Sequence, residues 1–423
     1  MKIRLHNARI LTMVDNEDIF IGEIHVNDGK IEYIGPALDE DASFDESIDC
    51  NLNLLMPGFK NAHTHSGMSV LRSLADDLPL DKWLNESIFP VEAKMSEDDI
   101  YEMSKLSVLE YLTSGITACF DMYLTPSSIY DSMKDMNFRC VQCGGMNNFS
   151  QSIELIEDCY NKYNDNEDLQ NFRIGFHAEY TTNEELLKKL SLLANKYKAP
   201  VFTHLSETKS EVDGCIERYG MTPLKYLDSI GMFNYGGGIF HGVYVTDEEM
   251  DIMKEKNIFV VTNPGSNSKL ASGIAPISKY LEKGIKVAIG TDGPASNNCL
   301  DMFREMFLVT GLAKIKDMDA SSVDALEVLK MATVNGAHTM GLDDSDVLAK
   351  GKNADIIMIN LKMPNMQPIN NIAKNIVYSG SKANVKMTMI NGKIMYMDGK
   401  FLNGIDEDYI YNKVSAIKDK LIG

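Results

Sequence analysis

The stretch PGFKNAHTHSG, Pro57 to Gly67, closes an apolar run and carries two histidines one residue apart in a chain that has only eight. Taken alone it is either an incidental turn or half of a metal site. The pattern of the residues after it decides the fold. From Pro57 onward, short apolar runs alternate with longer amphipathic helical stretches. Eight runs stand out: PGFKNAH (57–63), GITACFD (115–121), FRCVQC (138–143), FRIGFH (172–177), PVFTH (200–204), GIFH (238–241), IFVVT (258–262) and KVAIGTD (286–292). Between the first two, Ser96 stands at an N-cap position with Asp99 three residues on, a variant of the capping box that opens a helix. Alternating β and α units argue for a parallel sheet, and eight of them for a closed (β/α)8 TIM barrel.

Both ends of the chain read differently. Asp28-Gly29 lies between two alternating runs near the start. Asn391-Gly392 and Asp398-Gly399 do the same near the end. Both residue types accept the positive φ of a type I′ turn, so each pair marks a hairpin. Neither end has enough strands for a sandwich alone. The expectation is a composite β-sandwich domain from 1–56 plus 346–423, with the barrel, 57–345, inserted between. The polar stretch Asn161–Asn171 reads as an exposed helix end and loop.

Composition removes several function classes. At 44% hydrophobic and 24% charged, the 423 residues have the profile of a soluble globular protein. No apolar run reaches the roughly 18–20 residues of a membrane helix, and the first residues alternate instead of forming a signal peptide. The expected location is the cytoplasm. A net charge of −20 argues against nucleic acid and anionic membranes as partners. Seven scattered cysteines suggest free thiols, and Cys140-x-x-Cys143 without a second pair reads as a buried strand.

The histidines sort themselves by run. His63 and His65 end the first, His177 the fourth, His204 the fifth and His241 the sixth, while Asp292 ends the eighth. In a (β/α)8 barrel the C-terminal strand ends share one face, where active sites lie. Side chains two apart on a strand point the same way, so His63 and His65 can project together. Singly, each has an ordinary structural reading. Together, three or four imidazoles and a carboxylate suit zinc or ferrous iron.

Longer motifs accompany these residues: HTHSGMSVLRSLADDLPLDKWLNESIFPVE (63–92), THLSET (203–208), NPGSNSKLASGIAPI (263–277), GTDGPASNNCLDMFREM (290–306) and MATVNGAHTMGL (331–342). With them the chain resembles the amidohydrolase superfamily over its whole length. More narrowly it resembles the 5′-methylthioadenosine/S-adenosylhomocysteine deaminase branch and related adenosine-type deaminases. The resemblance implies hydrolytic deamination of an adenosine-type nucleoside to the inosine analogue plus ammonia, by a homo-oligomer without organic cofactor.

It also implies His63, His65, His204 and Asp292 as ligands of one divalent metal, Zn2+ before Fe2+, Mn2+ or Ni2+. The fourth run lacks the lysine that a second metal would need. Glu207, otherwise an ordinary carboxylate opening the next helix, becomes the proton shuttle. His241 would hydrogen-bond the attacking water, and Asp292 would double as a base. Trp83, otherwise a packing aromatic, would lie near the substrate with His177 and Ser296. Glu92 would accept from the ribose hydroxyls.

One departure bears on the substrate. Relatives that bind S-adenosylhomocysteine well hold its carboxylate with arginine near the third strand. Residues 140–160 contain no arginine or lysine, and Arg139 begins the strand at its far end. Adenosine, 5′-deoxyadenosine and 5′-methylthioadenosine are therefore expected ahead of S-adenosylhomocysteine. Deamination of a free base or pterin on the same scaffold is the alternative. A non-catalytic assembly protein is a remoter one.

Overall fold

The computed structural model describes residues 1–38, 43–78, 82–164, 169–402 and 404–423. The N-terminal segment supplies strands β1 (Lys2–Ile10), β2 (Phe20–Asn27), β3 (Lys30–Gly35), β4 (Glu46–Asp49) and β5 (Leu54–Pro57). The middle supplies β6 (Phe59–Thr64), β7 (Ile116–Met122), β8 (Arg139–Cys143), β9 (Gln170–Ala178), β10 (Val201–Leu205), β11 (Gly237–His241), β12 (Ile258–Thr262) and β13 (Val287–Ile289). After them come β14 (Ile356–Ile359), β15 (Val385–Ile390), β16 (Lys393–Met397) and β17 (Lys400–Phe401).

Each of the eight apolar runs forms one strand of a parallel sheet, ordered β6 to β13 without a break. Strands β7, β8, β10, β11 and β13 are buried at every position, as befits a sheet covered on both faces. Phe120, Phe202, Phe240, Val141 and Val261 fill the inside. Ala337 and Met340, from helix Val334–Met340, join them, and Gly336 of that helix lies against Lys60 near the start of β6. The intervening helices start where local chemistry directs. Ser96 and Asp99 form the reciprocal capping box ahead of helix Glu97–Thr113. The polar stretch 161–171 divides into the end of helix Ile153–Tyr163 and the start of β9; residues 165–168 lie outside the described ones. Cys140 and Cys143 are buried on β8. Among the described residues no helix is long and apolar enough to cross a membrane.

The two edge strands meet at a seam. The Asp292 N–H donates to the His63 carbonyl at 3.0 Å. Asn61 secures the same junction with its side chain, accepting from Thr291 N–H at 2.9 Å and donating to Thr291 Oγ1 at 2.7 Å. A Cβ at Gly290 would stand 2.7 Å from His63 Cβ, so only glycine lets the strands approach this closely.

Strands from both termini form one separate sheet, ordered β17-β16-β15-β14-β5-β1-β2-β3, with β4 beside β1. The three expected hairpin pairs sit at its turns, with positive φ at Asp28, Gly29, Asn391, Gly392, Asp398 and Gly399. The halves share an apolar core that includes Leu5, Ile24, Ile356 and Met389. The tips of two hairpins touch where Gly29 meets Asn391 and Gly392.

A buried ion pair ties this sheet to the barrel. Arg139, at the start of β8, donates to both oxygens of Asp355 at 2.7 and 3.0 Å. Asp355 also accepts from Asn391 N–H at 2.8 Å, and its carbonyl accepts from Gly58 N–H at 3.0 Å. Arg139 is thus paired away from the strand ends that carry the histidines. Removing one partner of such a pair leaves a buried charge unpaired, at a cost of about 3–5 kcal/mol. Arg139→Met is expected to lower the urea midpoint strongly, and Arg139→Met with Asp355→Leu to recover much of the loss. A single variant as stable as the parent would show that the pair does not anchor the two parts.

Candidate metal centre and active site

His63, His65, His204 and Asp292 converge at the C-terminal strand ends, with one candidate ligand atom from each within 4.8 Å of all the others. The convergence of the first two is not simple strand alternation. Between Asn61 and Thr64, β6 has one residue more than its partner β7, a bulge of the kind that re-aims side chains beside active sites. His65 lies just beyond the strand, at the cap of the 3-10 turn Ser66–Leu71. The His63 and His65 rings still meet, edge to face, with centroids 4.7 Å apart. Phe240 stacks on His63 at 3.8 Å and holds its plane.

The donor set fits a divalent cation. His65 Nδ1–H donates to the Met122 carbonyl, and His204 Nδ1–H to the His177 carbonyl at 2.7 Å. A carbonyl only accepts, so each ring turns its Nε2 to the centre, and these two atoms are 3.4 Å apart. Two lone pairs facing at that distance would repel, so the gap calls for a positive charge, a proton or a cation. Both ring nitrogens of His63 are buried without a hydrogen-bond partner among the described residues, and burial drops this imidazole to about 3, so it is neutral. Burial also opposes protonation of His65, yet Asp292 at 3.1 Å pulls it up to about 9. Burial likewise opposes ionisation of Asp292, but the His63 and His65 rings hold its carboxyl well below the usual carboxylate range. A buried carboxylate that draws positive charge onto the neighbouring imidazole demands a counter-charge, and a cation held by these same nitrogen and oxygen donors supplies it.

Neighbouring groups aim the ligands. Asp292 Oδ2 accepts from Ser266 Oγ at 2.6 Å and Ser296 Oγ at 2.7 Å, leaving Oδ1 for the histidines. Ser206, His241 and Asp292 turn out of their strands with φ of 54, 74 and 60°. Such backbone costs about 1–3 kcal/mol per residue and persists where the surroundings enforce it.

Glu207 is buried at the rim of the ligand set. Its Oε1 accepts from Ser272 Oγ at 3.0 Å, and its Oε2 lies 3.8 Å from His241 Nε2. Glu211 accepts from the Ser206 and Glu207 N–H groups at 2.6 and 2.9 Å, and burial pushes its own carboxyl up to about 7. His241 Nδ1 pairs with Asn267 Oδ1 at 2.8 Å.

Above the ligands opens a cavity of about 580 Å³. His65, Trp83, Glu92, His177, His204, Glu207, His241, Asp292 and Ser296 all line it, with His63 buried beneath. Every site residue expected from the sequence is therefore in one place. Burial lowers His177 to about 4; its Nδ1 pairs with Thr181 Oγ1 at 3.0 Å. Trp83 opens the wide turn Trp83–Ile88. Glu92 accepts from Tyr123 O–H at 2.8 Å, and burial raises its carboxyl. Ser296 donates its hydroxyl to Asp292 as well as lining the cavity. Sequence reasoning missed Tyr123, Glu211, Ser266, Asn267 and Ser272. The available signal was the density of small polar residues directly after β12, in NPGSNSKLAS.

Residues 54–395 match the amidohydrolase family. The chain belongs to that family. It is 38% identical to 5-methylthioadenosine/S-adenosylhomocysteine deaminase of Thermoanaerobacter pseudethanolicus, covering 99% of each chain. It is 36% identical to 5′-deoxyadenosine deaminase of Methanothermobacter thermautotrophicus, covering 97% of this chain and 100% of that one. Its fold superposes on a zinc-bound adenosine deaminase from Xanthomonas campestris with a TM-score of 0.93 at 28% identity, covering 99% of this chain and 98% of that one. The four-residue cluster is accordingly a divalent-metal site.

An ion held only by the folded state stabilises it, by about 2.7 kcal/mol at a hundredfold excess over its dissociation constant. Chelation is expected to lower the thermal midpoint, and added divalent metal to restore it. His63→Ala should abolish both the bound ion and the response. A chelation-insensitive midpoint, with metal still found in His63→Ala, would place the ion elsewhere.

Proposed function

We infer that the protein deaminates adenosine-type nucleosides hydrolytically at the 6-amino position, yielding the inosine analogue and ammonia. The observation that carries this is the pairing of Glu207 and His241, 3.8 Å apart, beside a three-histidine, one-aspartate metal set at the base of a nucleoside-sized cavity. The names of the relatives from T. pseudethanolicus and M. thermautotrophicus support the same reaction.

His63, His65, His204 and Asp292 would hold the ion, and their nitrogen and oxygen donors suit zinc. Bound there, it supplies Lewis-acid activation that makes water nucleophilic near neutral pH. The chain's own groups do the rest. Glu207 takes a proton from the attacking water and delivers it to the ring nitrogen beside the attacked carbon. His241 orients that water through the Nε2 that faces the cavity, while Asp292 serves as a second base and takes the remaining hydroxyl proton. With that second proton passed to the amino group, the tetrahedral carbon forms its carbonyl and expels ammonia. Trp83 packs against the substrate, with His177 and Ser296 nearby. Glu92 accepts from the ribose hydroxyls, which favours a nucleoside over a free base.

We read 57–345 as the catalytic domain, 1–56 plus 346–423 as the composite β-domain, and the working form as a cytoplasmic homo-oligomer. The outer cavity wall supports a neutral 5′ group. Leu84, Phe89 and Phe149 stand there, Phe149 95% exposed, and no lysine or arginine is among the described lining residues. An amino-acid carboxylate brought to such a wall loses hydration without gaining a partner.

Two measurements test this reading. The kcat/KM for 5′-methylthioadenosine should exceed that for S-adenosylhomocysteine by at least about tenfold, or about 1.4 kcal/mol; equal values would remove the neutral preference. Glu92→Ala should lower kcat/KM for adenosine by about 10- to 100-fold, the worth of a charged hydrogen bond. It should change little for 2′,3′-dideoxyadenosine. An equal loss on both substrates would remove the diol role.

A further inference from the structure

One short segment reaches three residues assigned to the chemistry. In helix Pro264–Lys269 and the residues just after it, Ser266 donates to Asp292, Asn267 pairs with His241, and Ser272 donates to Glu207. Asn267 and Ser272 are nearly buried, and neither is among the residues lining the 580 Å³ cavity, so they act through their partners. The segment is braced within itself and from behind. Asn267 N–H donates to the Asn263 carbonyl and Ser272 N–H to the Asn267 carbonyl, both at 2.9 Å. Buried Glu305 accepts from Gly265 N–H at 2.8 Å.

We propose that Asn267 and Ser272 are positioning residues that fix which atoms His241 and Glu207 present to the reaction. With Asn267 Oδ1 as acceptor, the His241 proton stays on Nδ1, and Nε2 faces the cavity as an acceptor for the proton of water. Ser272 occupies Glu207 Oε1, so that Oε2 is the oxygen turned toward His241. A neutral amide does for His241 what a carboxylate does for a catalytic histidine elsewhere. It sets tautomer and ring plane without adding a charge beside the metal set.

The consequence for rate rests on the deaminase reading; the tautomer does not. Selective ¹⁵N-histidine labelling, with His241 assigned by the signals lost in His241→Gln, should show the Nδ1-protonated form in the metal-loaded wild type. Asn267→Leu should shift His241 toward Nε2 protonation and lower kcat on the order of 100-fold, the scale of acid–base catalysis, with KM and metal content little changed. Asn267→Asp, which keeps the acceptor, should restore the Nδ1-protonated form. Ser272→Ala should lower kcat about tenfold, the order of one hydrogen bond to a charged group, and Ser272→Thr should recover it. An Nε2-protonated His241 in the wild type overturns the proposal, and that measurement stands even if the leucine variant does not fold. So does an Asn267→Leu protein with parental kcat. If the wild type releases no ammonia from any nucleoside, the deaminase reading fails, while the tautomer still decides this proposal.

Discussion

The hydrogen bond from Asp292 N–H to the His63 carbonyl closes the barrel and builds the metal site in the same act. The two residues are 229 apart in sequence, and no local interaction would bring them together. Their meeting depends on eight strands keeping a parallel order, so that the last edge returns to the first. Glycine at 290 permits the approach, and Asn61 supplies side-chain hydrogen bonds where regular strand pairing runs out. A slip at this seam would misplace the carboxylate against the histidines and break the centre.

Electrostatics explains why the site sits at the bottom of a deep cavity. Asp292 is buried, and its neighbours hold it ionised. His65 and His204 turn Nε2 inward because main-chain carbonyls accept from their Nδ1–H groups on the other side. The centre is therefore a prepared pocket of negative potential in low dielectric, where a cation is worth far more than at the surface. At the opposite barrel end the balance is reversed. Lys60, Arg139 and Asp355 form a buried charged group that locks the barrel to the terminal sheet, and burial lowers the Lys60 amine to about 8. One end of the barrel holds the metal ligands, while the other anchors.

Much of this architecture is legible in the residues alone. Apolar runs of strand length between helical stretches mark all eight barrel strands, because a parallel sheet covered on both faces must be apolar throughout. The Asp-Gly and Asn-Gly pairs mark the terminal hairpins, because positive φ restricts those turns to a few residue types. The site residues are marked by their places at strand ends, together with the long motifs. The bulge in β6 is not legible. Simple alternation explains the His63–His65 pair adequately, although the chain reaches that arrangement through an inserted residue.

The contacts of Ser266, Asn267 and Ser272 are not legible either, and the physical reason is general. Sequence determines by itself what depends on local geometry and residue chemistry: strand and helix periods, turn types, and which side chains own a lone pair or a proton. It does not state partners across a fold. A serine after β12 looks like any loop serine until the barrel brings Asp292 within 2.6 Å of its hydroxyl. The tertiary structure alone decided which nitrogen of His65 and of His204 faces the centre and which oxygen of Glu207 is turned toward His241. It alone decided, too, that the described cavity wall carries no lysine or arginine. Those are properties of distances between residues far apart in the chain.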